Sequence, residues 1–171
     1  MLPEVLTVKV YRAAPSAGWI WLIGIALLVI VPTLPALLAV RQAPVVLITV
    51  VLGLAIGLPF LVMAYWFPTI RYELGPDKLV LRYGPFRYAI RLDDIQEVTE
   101  RDLAFSIWSS MRLPGFAMWT VDYADEGHVF MCATRALKDI VYIVTPRRKY
   151  GITPADEEDF LRELTRRLKR A

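Results

Sequence analysis

At 171 residues the chain has room for one or two folding units. It is 56% apolar yet 22% charged, an ordinary charged share for a globular protein, so the apolar residues must be concentrated in one part. The net charge of +3 dissolves into 17 basic against 16 acidic residues from Arg71 onward, which speaks against a nucleic-acid partner, and the single cysteine, Cys132, excludes an intramolecular disulfide and a thiolate zinc cluster.

Residues 1–15 read as an N-terminal arm in which Val5–Arg12 alternates like a strand, suited to joining a sheet edge. Residues 16–68 read as a transmembrane helical hairpin. Stretches 13–40 and 42–70 contain no Asp, Glu, Lys, Arg or His, and only Arg41 separates them. The spans expected are Ala17–Val40 and Pro44–Phe67, each longer than the roughly 20 residues a helix needs to cross a hydrocarbon core. Helices are expected because backbone polar groups find no water there. Trp19, Trp21, Tyr65 and Trp66 fit an aromatic belt at one interface.

Pro32 and Pro35 interrupt the first span, and with no charge inside either span they read as a bend near the turn rather than an ion path. Gly53 and Gly57 make a small-xxx-small pattern that lets helices approach closely, within the hairpin or in a homo-oligomer. A cleaved signal peptide does not fit, because the apolar region exceeds a 7–15-residue core and a second span follows. Lys9 and Arg12 precede the first span, while Arg71, Lys78, Arg82 and Arg87 follow the second. The positive-inside rule therefore expects a multi-pass protein of the cell membrane with both termini cytoplasmic.

Residues 69–171 change to strand-like alternation. Strands are expected at Ile70–Leu74, Lys78–Tyr83 and Arg87–Leu92, separated by Gly-Pro turns. Others are expected at Asp94–Thr99, Phe116–Tyr123, His128–Thr134 and Ile140–Thr145, with Leu103–Gly115 as a long loop. Thr153 is placed to cap a final helix with Pro154 at its first position. Acids fill its first turn, Phe160, Leu161, Leu164 and Leu168 form one face, and basic residues close its end. Seven short strands and one helix predict a small β-barrel or sandwich closed at one end by the helix.

That order resembles the pleckstrin-homology-like (PH-like) fold, and the residues resemble the bacterial PH-like families in a membrane-anchored form. The matching positions are Tyr83-Gly84-Pro85-Phe86-Arg87 leading to Ile90-x-Leu92-x-x-Ile95, then Leu113-Pro114-Gly115 and Ala133-Thr134-Arg135. Tyr150-Gly151-Ile152-Thr153-Pro154 ahead of Phe160 completes the set. The resemblance covers residues 70–171. It implies a PH-like barrel and an interaction module rather than an enzyme, with no cofactor and no metal. The first hairpin, Gly75-Pro76-Asp77-Lys78, is short and acidic, so the resemblance does not carry inositol-lipid binding to this chain.

Individual site candidates are few. His128 is the sole histidine and lacks convergent ligands, so it reads as solvent-facing or structural. The serines at 106, 109 and 110 lie in no G-x-S-x-G elbow. Two features stand above these. Arg147-Arg148-Lys149 follows the last expected strand and suits a membrane-surface or partner contact. Phe105, Ile107, Trp108 and Met111 load an expected loop with apolar side chains, either for a partner or membrane contact or for packing. The reading that follows is a membrane-anchored PH-like scaffold at the cytoplasmic face, with the lipid bilayer and a protein partner or homo-oligomer as its contacts. The alternative is an accessory or pore-forming subunit of a transport assembly.

Overall fold

The computed structural model describes residues 7–35, 44–104 and 112–169. They divide into two compact units: Ala17–Pro68, and the described residues of 1–16 together with 69–171.

The smaller unit is helical. Helix α1 spans Gly18–Ile30 and helix α2 spans Pro44–Trp66. The regular α-helix of the first expected span ends at Ile30, and residues 36–40 of that span lie outside the described residues. After Ile30 the chain tightens into a 3₁₀ turn at Val31–Thr33, where Pro32 has no N–H to donate and Thr33 Oγ1 donates to the Ile30 carbonyl at 2.6 Å. Among the described residues one helical stretch, Val46–Thr69, is long and apolar enough to cross a membrane, with a mean hydropathy of 2.7; Gly18–Thr33 is a shorter apolar helix. The two pack through the small residues. A Cβ on Gly53 would run into the Thr33 methyl, and one on Gly57 would come 2.5 Å from Ile30 Cγ1 and 3.3 Å from the Ala26 carbonyl.

Among its described residues the larger unit holds ten strands in two sheets. The first sheet takes β1 (Lys9–Arg12), β2 (Arg71–Leu74), β3 (Lys78–Tyr83) and β4 (Phe86–Arg91) in that order, all antiparallel. The second comprises β5 (Glu97–Arg101), β6 (Arg112–Leu113), β7 (Phe116–Tyr123), β8 (Gly127–Ala133), β9 (Ile140–Val144) and β10 (Lys149–Ile152), in the order β5-β9-β10-β8-β7-β6. The expected closed barrel of seven strands is therefore corrected to two separate sheets. A 3₁₀ turn at Leu92–Asp94 ends the first meander, and β5 then pairs with β9 instead of β4, so each sheet keeps free edges.

Two strands are absent from the sequence reading, the two-residue β6 within the expected Leu103–Gly115 loop and the longer β10. Strand β10 inserts between β9, antiparallel, and β8, parallel. Gly151 is what lets it in, since a Cβ there would strike Met131 Sδ in the fully buried core.

The middle of the second sheet, at β8 and β9, is buried on both faces, which explains five consecutive buried residues in β8 where a one-faced strand would alternate. Toward the first sheet, Phe130 meets Tyr88 with ring centroids 4.5 Å apart, and Tyr72 Oη donates to the Cys132 carbonyl at 2.7 Å. On its other face Val121, Val129, Met131 and Tyr142 form a core with Leu103, with Ala136 and Leu137 packed against it.

Helix α3 (Glu157–Leu168) lies against β1 and β2, with Phe160 edge-on to Tyr11 and Tyr72. Its cap is Asp156, whose carboxylate accepts from the Asp159 N–H at 3.1 Å, and not Thr153. Thr153 is buried and already engaged: its hydroxyl accepts from the Thr134 N–H, and its carbonyl accepts from the Ala14 N–H.

Candidate functional site

The basic triplet divides into three different environments. The turn between β9 and β10 is tied by Thr145, whose Oγ1 donates to the Arg148 carbonyl at 2.7 Å, and this leaves Arg147 exposed at the tip. Arg148 lies over the Phe130 ring at 5.9 Å. Lys149 belongs to β10 and turns away from the tip: its Nζ donates to the Glu126 carboxylate at 2.8 Å and to the Glu126 carbonyl at 3.0 Å. Phe105, Ile107, Trp108 and Met111 lie outside the described residues.

His128 is exposed and meets Asp122, its cross-strand partner in the β7–β8 hairpin, as a surface pair. Among the described residues no group of three or more His, Cys, Asp or Glu side chains could hold a metal ion. Cys132 is buried, and burial pushes its thiol up to about 12, so it is not a nucleophile at neutral pH.

Two shallow clefts flank the domain. One, of about 590 Å³, is lined by Glu100, Ala155, Asp156, Glu157, Glu158 and Leu161. Burial and the neighbouring Glu100 and Asp139 carboxylates raise the Glu157 carboxyl above its ordinary value. The other, of about 350 Å³, is mostly apolar and runs between Pro15–Ser16, Pro114–Gly115 and Thr134–Lys138, closed on one side by the bond from Ser16 Oγ to the Gly115 carbonyl at 2.7 Å.

The signal that sequence reading missed lies on the first sheet. Alternation in β1 to β4 buries Tyr11, Tyr72, Leu81 and Ile90 on one face and turns the charged residues outward. Which of those charges stand side by side depends on strand register, and register is invisible until the pairing is known.

Two sheets with a C-terminal helix laid against one of them define the domain as a PH-like module. The family model of the bacterial PH domain matches residues 70–168, more than half of the chain, and the chain belongs to that family. No curated protein and no solved structure matches it. PH domains are generally non-catalytic and mediate protein or lipid interactions.

Proposed function

We propose that this chain is a membrane-anchored interaction module, with residues 16–68 inserted as a helical hairpin and the PH-like domain held at the cytoplasmic face to bind a lipid or protein surface. The observation that carries the reading is the pairing of β1 with β2. β1 precedes the apolar helices and β2 follows them, yet they are adjacent strands of one sheet. A segment that leaves and re-enters the same folded domain crosses a bilayer an even number of times. The bias of basic residues toward the two flanks supports a cytoplasmic domain. With no Asp, Glu, Lys, Arg or His inside either apolar stretch, the helices serve as a tether, and binding falls to the domain surface, where Arg147 and Arg148 are exposed.

The test is topological. In the full chain, a cytoplasm-active reporter fused to either terminus is expected to be active, and an export-active reporter inserted after Gln42 is expected to be active too. Release of the chain from membranes by alkaline carbonate, or opposite sidedness of the termini, would overturn the reading.

A further inference from the structure

Four arginines stand in one row across the first sheet. Register places Arg12 opposite Arg71, Arg71 opposite Arg82, and Arg82 opposite Arg87, one from each of β1 to β4. Arg12, Arg71 and Arg82 point to the outer face, because their sequence neighbours Tyr11, Tyr72, Leu81 and Tyr83 are buried on the inner one, and Arg87 shares that face as the cross-strand partner of Arg82. At about 4.8 Å between strands the row is roughly 14 Å long. Like charges set directly opposite one another destabilise a sheet unless an acid stands between them. Glu73 is the only acid among the outward residues of β1 to β4, bridging Arg71 at 3.1 Å and Arg82 at 2.8 Å. Arg12 and Arg87 are exposed and make no side-chain hydrogen bond or ion pair among the described residues. Lys78 and Arg91 stand opposite each other farther along the same face, Arg91 paired with Asp93 at 3.1 Å.

The row also has a definite place in the chain. Arg12 ends β1, five residues before Ala17, and Arg71 begins β2, three residues after Pro68. At no more than about 3.6 Å per residue, covalent connection alone keeps this end of the sheet near both attachments of the helical unit.

We propose that the arginine row Arg12–Arg71–Arg82–Arg87 is the docking surface for the anionic phospholipid headgroups of the bilayer that holds the helices. The inference rests on the membrane-anchored reading. Guanidinium groups bind phosphate oxygens in a bidentate fork, and a row of them meets a planar layer of phosphates better than a single pocket does. Both attachments leave from the Arg12–Arg71 end of the row, and on the membrane-anchored reading their short length keeps that end within the distance over which salt leaves such attraction unscreened.

The test uses the full chain with a fluorophore on A89C, an exposed position two residues from Arg87 on the same face. The native Cys132 is buried and does not compete for the label. The chain is reconstituted in nanodiscs of phosphatidylcholine, with or without about one-third phosphatidylglycerol, and quenching by a spin-labelled headgroup is recorded. Strong quenching is expected with the anionic lipid, falling away in high salt and in the zwitterionic discs. Each Arg→Gln change is expected to lower the contact equilibrium about fivefold, so R12Q/R87Q lowers it about 25-fold and the fourfold variant several hundredfold. R12K/R87K keeps most of it. Equal quenching in both lipid compositions, or quenching unchanged in R12Q/R87Q, overturns the row while leaving the anchor standing. A chain that enters neither disc overturns both. A label that ignores anionic lipid but responds to a polyglutamate peptide would assign the row to an acidic protein instead.

Discussion

Glu126, in the turn between β7 and β8, shows how one carboxylate organises a sheet. It accepts from Lys149 Nζ at 2.8 Å, from the Tyr142 hydroxyl at 2.6 Å and from Arg101 Nη1 at 2.5 Å, joining β10, β9 and β5. The Lys149 ammonium first, then the Tyr142 hydroxyl, hold its carboxyl down to about 2, against an ordinary value of 4.5. Because the folded state depresses this group, its stabilisation is full above about pH 4.5 and is lost as the pH falls toward 2. E126Q is expected to lower stability at pH 7 by about 2 kcal/mol, the scale of hydrogen bonds to a charged group. Denaturant titrations at pH 7 and pH 2 check this: the gap between the two proteins should shrink at the lower pH, and a constant gap would assign the effect to packing. This reading also removes Lys149 from the exposed basic triplet that the sequence presents.

At the scale of elements, α3 is locked to β1 and β2 by charge as well as by the buried Phe160 and Leu164. Arg167 is buried, and its guanidinium donates to the Leu74 carbonyl at 2.9 Å, to the Thr7 carbonyl at 3.0 Å and to Glu163 at 2.7 Å. One turn from the other end of the helix, Asp159 collects Lys9 at 2.5 Å, Tyr11 at 2.9 Å and Arg162 at 2.8 Å. These bonds hold the carboxyl of Asp159 well below the usual carboxylate range, Lys9 contributing most. R167A strips the Leu74 and Thr7 carbonyls and Glu163 of a buried donor and is expected to cost about 3 kcal/mol, the range for breaking a buried charged contact. Thermal unfolding of the full chain in neutral detergent reads the loss, and R166A, at an exposed neighbouring position, should cost well under half as much. In sequence Arg167 is one of several basic residues at a helix end. Only the packing of α3 across the sheet separates it from Arg166.

For the whole molecule, the interrupted unit is the defining property: β1 and the residues from 69 onward fold together around an inserted helical segment. β1 covers the edge of β2, which would otherwise offer a free ladder to another chain. Deleting residues 1–12 is expected to lower the melting temperature, to raise hydrogen exchange in β2 and α3 before β7 and β8, and to promote self-association. Hydrogen exchange resolved by segment checks the order, and uniform loosening would show that β1 is dispensable to this part of the fold.

The outcome sorts by the range of the interactions involved. Composition and local periodicity revealed the apolar stretches, the β2–β4 meander, the β7–β8 hairpin and the amphipathic α3, because each depends on residues close together in the chain. Family membership was legible for a related reason, since its matching positions are glycine turns and core residues; Gly84 and Gly115, at φ of 52° and 78°, sit where other residues are strained. Tertiary structure alone decided the rest. It separated two sheets where a barrel was expected, because β5 found β9 rather than β4. It inserted β10, a four-residue strand with too little alternation to announce itself, through the space left by Gly151. It also turned arginines scattered from residue 12 to residue 87 into one row, because side chains that share a face become neighbours only when strand register aligns them.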